Sequence, residues 1–458
     1  MTNITNSTMR GNTTMNVPTL QEAIDQAGSP MQLLWQPDAQ PWTVPVVQPE
    51  FVGWAKEQEA WRSGVAFFDL SFHMSDTFLA GPDATRLLSE VSANNYEKFT
   101  IGQAKQFVPV AADGNIITDG ILLRTADQEY TLTGPPASQN WVKYHAQAGG
   151  YDVEYRTNAD SSVRRDGDPE LLRFQIQGPQ AMEVIERLLG RPVPEVKFFH
   201  STHLTIAGRC IRALRHGMAG QPGFEFIGDY ADYGAVKDAI LTAGAPSGLV
   251  QVGGEAYFTN GVESGWIPTP TPAIYTDPAL EDYRRSLSSF SYEGKKPLNG
   301  SYYSDDIEDY YISPWELGYG RSLNFSHEFI GRDALLAAKD QVRRTKVTLE
   351  VNRDDVSRVL GADLGYLNTY SRFRIERNGA LAGMTFWTSN IAPVGTVLAL
   401  SLVDHAAAEP GTEVELVWGQ HPGHGTDGDA DLALPRLRAT VRPSPYDDFA
   451  RTGYRSNT

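Results

Sequence analysis

Four short stretches carry side chains able to do chemistry, and they lie far apart in the chain. DLSFHM holds His73, NIITDGILL holds Asp119, PGFEF holds Glu225, and GGEAYFTNGVESGWIPTP holds Tyr257, Glu263 and Trp266. A histidine, a carboxylic acid and a phenol are the groups that give or take a proton at a reacting atom. Glu225 stands between phenylalanines, and burying a carboxylate without partners is costly. A ligand with two N–H donors would satisfy both of its oxygens. Together these stretches describe a pocket for a flat, hydrogen-bonding heterocycle. Each also has a purely structural reading. His73 would be a hydrogen-bonded strand residue, Asp119 a turn stabiliser, and the rings of the last stretch core packing.

Composition narrows the classes. A chain of 458 residues exceeds what one core usually serves, so two or three domains are expected. It is 41% hydrophobic and 21% charged, as a globular protein is. A net charge of −17, from 39 basic and 56 acidic side chains, argues against nucleic acid or an anionic membrane as the main partner. An anionic ligand would need a local basic patch inside that repelling field. The single cysteine, Cys210, forms no internal disulfide and fits a cytoplasmic location. In AGRCIRAL it reads as a small buried thiol. With no CxxC pair, and with HPGHGTDGDAD lacking the glycine and closing carboxylate of a calcium loop, no metal is expected. GHGTDG opens no helix, so a dinucleotide-binding unit has no support. No apolar run reaches the ~20 residues of a membrane helix. Residues 1–16 read as a disordered tail.

The elements that must position these residues show a repeated order. VAFFDLSFHMSDTFLAG reads as one extended segment, GPDATRLLSEV as a helix, and AKQFVPVAAD, NIITDGILLRTAD and EYTLTGP as three strands. A similar cycle begins at LLRFQIQGP, continues through the helix QAMEVIERLLG, and ends with strands and the helix ADYGAVKDAILTAG. That order suggests two related α+β units with antiparallel sheets, interleaved over residues 17–345. From 346 to 458 six short strands, from KVTLEV to RLRATVRPSP, predict a C-terminal β-barrel or sandwich domain.

FQIQGPQA, PGFEF and ISPWELGYGRSLNFSHEFIGRDAL resemble segments of the aminomethyltransferase (glycine-cleavage T-protein) family. The resemblance covers roughly Val44 to Pro445 and implies that family's α+β fold with tetrahydrofolate as cofactor. Where glycine-cleavage enzymes carry alanine–arginine–aspartate, this chain has Ala256–Tyr257–Phe258. That change, with RHGMAG, ESGWIP, AIYT and IEDYY, is similar instead to the tetrahydrofolate-dependent aromatic O-demethylases and to the sesamin-metabolising methylene transferase. The resemblance implies Tyr257 as the catalytic acid, with Asp119 and His73 beside it. It implies Gln175, Glu225 and Trp266 on the folate, and Trp42, Leu70, Phe72, His73 and Pro135 around an aryl ether.

One departure bears on the substrate. The turn Gly134–Pro135–Pro136–Ala137 stands where the vanillate-type enzymes carry an arginine for the aryl carboxylate. It favours a neutral methylenedioxyphenyl compound, yielding a catechol and 5,10-methylene-tetrahydrofolate. The alternatives are an O-demethylase of a methoxylated aromatic, yielding 5-methyl-tetrahydrofolate, and a non-catalytic folate-binding regulator. The sequence gives no oligomeric state.

Overall fold

The computed structural model describes residues 17–44, 46–164 and 167–456. The expected tail at 1–16 lies outside the described residues. Two antiparallel-rich sheets and a closed barrel organise the chain. The first sheet runs Ala104–Phe107, Gly120–Ala126, Glu129–Gly134, Ser75–Ala80 and Glu154–Asn158. The second runs Ser201–Ile206, Arg209–Leu214, Gly223–Asp229, Leu171–Gln177, Ala66–Asp69 and Val250–Val252. The two orders match, except that Ala66–Asp69 is inserted near the end of the second sheet. That strand precedes the first unit in sequence yet pairs within the second, so the units interleave.

This insertion corrects the reading of VAFFDLSFHMSDTFLAG as one extended segment. It is two strands in different sheets, Ala66–Asp69 and Ser75–Ala80, joined by a turn that holds His73. Alternation then sorts the second sheet's residues. Leu172, Phe174 and Ile176 face the helices Ala181–Leu189 and Tyr233–Gly244, as do Phe224 and Phe226. Arg173, Gln175 and Glu225 therefore share the opposite face, with Glu225 paired in register to Gln175. Cys210 is exposed rather than buried, because its neighbour Ile211 takes the inward position.

All six predicted C-terminal strands form, from Arg344–Val351 to Arg436–Arg442, and pairing of Ala380–Ile391 with Thr396–Asp404 closes the barrel. The barrel packs closely on the unit that carries Tyr257. A Cβ at Gly261 would come within 2.1 Å of the Trp387 ring, so only glycine permits this approach. Gln58 adds hydrogen bonds to the Asn390 carbonyl (3.1 Å) and from the Ala392 N–H (2.8 Å). After the barrel the chain returns to the second unit, where the Tyr454 hydroxyl accepts from the Gly217 N–H at 2.6 Å.

Candidate active site

A cavity of about 1690 Å³ opens where the two sheets and the barrel meet. It is large enough for a folate and a second small molecule, since ligand sites commonly span ~300–1,000 Å³. His73, Asp119, Glu225, Tyr257 and Trp266 all line it, so four distant stretches converge. Eight lysines and arginines line it against four carboxylates, a local basic patch within an acidic protein.

Tyr257 ends the short helix Gly254–Tyr257 in a stretch that otherwise reads as loop. Buried Glu57 fixes the start of that helix, accepting from the Gly253 N–H (2.8 Å) and the Val52 N–H (2.9 Å). Gly253 must be glycine, because a Cβ there would lie 2.3 Å from the Pro49 carbonyl oxygen. The Tyr257 ring is held edge-on by Phe68 and Phe258, with centroids at 5.9 and 5.3 Å, and lies 4.6 Å from His73. Its hydroxyl has no protein hydrogen-bond partner among the described residues. Burial, reinforced by the charge of Glu225, pushes the phenol above its ordinary value. Tyr257 therefore stays protonated throughout the working pH range.

His73 has the opposite character. Burial, reinforced by the charge of Arg173, pulls its imidazole down to about 3. It is uncharged at neutral pH, with Nε2 buried and unpartnered. Asp119 precedes the strand Gly120–Ala126, and its Oδ2 accepts from Gln106 (2.6 Å), Trp266 (2.8 Å) and Tyr319 (3.0 Å). Its Oδ1 is buried with no donor. Burial raises its carboxyl above the usual range in spite of those three donors. Trp266 is thus held by Asp119, on a loop where Lys346 donates to the Gly265 carbonyl at 2.7 Å.

Glu225 departs from expectation, because its partners come from the protein. Oε1 accepts from Arg173 and Oε2 from Gln175 at 2.7 Å. Arg173 also donates to Asp76 at 2.8 Å, and all three charged side chains are no more than 5% exposed. Asp76 belongs to the first sheet and Glu225 to the second, so Arg173 bolts the sheets together beneath the cavity. Burial works against the Arg173 charge, yet Asp76 and Glu225 hold its pKa above the ordinary arginine value. Gln175 is fully buried and acts as a positioning residue for Glu225, with its Oε1 accepting from the Met218 N–H at 3.2 Å.

The remaining expected residues divide. Trp42 and Pro135 line the cavity, with Trp42 edge-on to Phe258 at 5.7 Å. Leu70 lies behind Tyr257 in the same buried cluster rather than in the large cavity. Phe72 is the clearest correction, because its ring packs on Tyr230 and Tyr233 at 6.1 and 6.0 Å. Once the segment turns after Asp69, Phe72 and His73 point to different surroundings. Glu263 lies behind the site as well, buried and paired with Arg62, its carboxyl pushed up to about 7 by burial. Arg173, Asp76, Gln106, Tyr319 and Lys296 were not anticipated. Arg173 had a legible signal, since LLRFQIQ alternates polar and apolar residues.

The GCVT N-terminal domain family matches residues 35–271. Syringate O-demethylase of Sphingobium sp. strain SYK-6 is 36% identical over 95% of this chain and 97% of its own. Sesamin methylene transferase of Sinomonas sp. strain No.22 is 28% identical over 81% of this chain and 84% of its own. Among solved structures, the glycine cleavage system aminomethyltransferase T of Bartonella henselae superposes with a TM-score of 0.59 at 20% identity. That alignment covers 93% of this chain and 96% of the other, and shows a shared fold. The chain belongs to the GCVT aminomethyltransferase family. It is a one-carbon transferase, and tetrahydrofolate is its carrier.

The cavity residues fit a reduced folate. Asp119 Oδ1 is an acceptor lacking a donor, and the ring and amine N–H groups of the folate are donors. Each oxygen of Glu225 accepts one protein bond and retains capacity for another. No helix among the described residues is long and apolar enough to cross a membrane.

Proposed function

We propose that the protein is a tetrahydrofolate-dependent O-demethylase of a methoxylated aromatic compound. The observation that carries this reading is the Tyr257 hydroxyl, free of protein partners in a cavity wall of aromatic rings. An aryl methyl ether is inert because it must release a phenoxide, whose conjugate acid has a pKa of about 10. Tyr257 donates its proton to the ether oxygen as the methyl–oxygen bond breaks, and the electron pair stays on that oxygen. Burial raises Tyr257 and the departing phenol alike, so the proton moves between groups of similar basicity. Bound folate supplies the N5 nucleophile that accepts the methyl group. Asp119, whose Oδ1 is buried without a donor, would accept a proton from the bound folate. His73, uncharged, packs on the Tyr257 ring and keeps the wall free of competing charge.

The methoxy reading is preferred to the methylenedioxy one because the 36% relative is an O-demethylase and spans nearly the whole chain. Pro135 still lines the cavity, and the Sinomonas relative acts on sesamin, so demethylenation is the reading to test against. Incubation with tetrahydrofolate and a panel of methoxy and methylenedioxy arenes, with the folate product weighed by mass spectrometry, separates them. Conversion of methoxyarenes with 5-methyl-tetrahydrofolate as product is expected. Formation of 5,10-methylene-tetrahydrofolate from a methylenedioxyarene alone would establish demethylenation. Folate binding without any turnover would leave a regulator.

A further inference from the structure

The strongest unexplained feature of the cavity is a buried lysine. Lys296 lines it and is only 7% exposed. Its Nζ donates to the Tyr292 hydroxyl at 3.4 Å, and no carboxylate pairs with it among the described residues. The charge that bears on it is another cation, Arg372, which is 2% exposed. Arg372 is spent on backbone carbonyls, those of Tyr370 (2.7 Å) and Thr269 (2.9 Å). The Lys296 Nζ also lies over the Tyr292 ring, 5.4 Å from its centroid, so its partners among the described residues are a phenol and no anion. Burial and Arg372 hold the Lys296 pKa well below the ordinary lysine value.

The loop that presents Lys296 is fixed rather than loose. The Leu298 N–H donates to the Leu34 carbonyl at 2.8 Å, and its own carbonyl accepts from the Gln36 N–H at 2.8 Å. A Cβ at Gly294 would meet the Ser289 carbonyl oxygen at 2.3 Å, so the turn before the lysine is tight. These contacts fix the backbone on either side of Lys296 and so fix where its side chain enters the cavity. Its wall is continuous with the reacting wall. Tyr257, Tyr292 and Tyr370 all line this same cavity. Burial disfavours the ammonium form while the site is empty, and a carboxylate brought in by a ligand restores the proton and pairs with it.

We propose that Lys296 is the anion anchor of the substrate site, selecting methoxylated aryl acids by pairing with their carboxylate. This rests on the demethylase reading above and deepens it. It also revises the expectation drawn from Pro135. The cation missing from the Gly134–Ala137 turn is supplied from a loop some 160 residues later in the chain. A folate glutamate tail also carries carboxylates, so the test separates the two sources.

Lys296→Met keeps the length of the side chain and removes its charge. The KM for syringate is expected to rise roughly 10–100-fold, as for loss of one charge-assisted hydrogen bond worth ~1.5–3 kcal/mol. The KM for methyl syringate should stay within about threefold, and Lys296→Arg should preserve the preference for the acid. Calorimetric binding of syringate to both proteins reads the anchor even if turnover is absent, so the two proposals fail separately. Equal losses on acid and ester, or no loss on the acid, would overturn the assignment. So would weakened binding of tetrahydrofolate with unchanged binding of a tail-less tetrahydropterin, which would give Lys296 to the glutamate tail.

Discussion

Replacing Tyr257 by phenylalanine is expected to lower kcat by roughly 10²–10⁴-fold, the usual contribution of a positioned general acid. The change removes one oxygen and leaves the ring that packs on Phe68, Phe258 and His73. No hydrogen bond among the described residues is lost, so stability should be unchanged. KM should also change little, because the hydroxyl acts on the developing phenoxide more than on the bound ether. Steady-state kinetics with calorimetric binding of both ligands checks this. A variant within a few-fold of the parent would return Tyr257 to the cavity wall and leave the protonated form of Asp119 as the acid. His73 is the weaker substitute, since it carries no proton charge at neutral pH.

The second large effect falls on the fold. Arg173→Leu should destabilise the protein by about 3–5 kcal/mol, the cost of stripping the partner from a buried ion pair. Asp76 and Glu225 would then face each other across the sheet junction, each less than a tenth exposed and without a cation. Such a loss is a large part of the ~5–15 kcal/mol that holds a typical domain. Denaturant unfolding of the parent and variant measures it. The combined change Asp76→Asn, Arg173→Leu, Glu225→Gln should recover much of the loss, since the charges then leave together. A single variant as stable as the parent would show that Arg173 does not bolt the sheets.

The sequence carried most of the architecture because its alternation and turn signals are local. The six barrel strands and the repeated strand and helix order need only period-2 and helical patterns to be seen. The split at His73 needed more. VAFFDLSFHMSDTFLAG has no glycine or proline between Asp69 and Ser75 to mark its turn, and only the pairing of Ala66–Asp69 with Leu171–Gln177 explains the break. Phe72 was placed on the substrate by the family resemblance, and the packing of its ring on Tyr230 and Tyr233 is not legible from its neighbour His73. Glu225 was recognisable as an anomaly, but its partners were not. Arg173 lies 52 residues away and meets it only through antiparallel register. Lys296 was invisible, because GKKP reads as a solvated loop until the two bridges around Leu298 bury it. Charge patterning is legible along a chain, whereas burial of a lone charge is a property of the assembled walls.

The central claim is that the ether methyl carbon passes intact to the folate while the aryl oxygen stays on the ring. A single turnover with an isotopically labelled ether methyl group tests it most directly, with the label traced by nuclear magnetic resonance and mass spectrometry. The label is predicted to appear wholly as the N5 methyl group of tetrahydrofolate, in amount equal to the phenol released. Label recovered as methanol or formaldehyde, or phenol formed without any folate, would contradict the account.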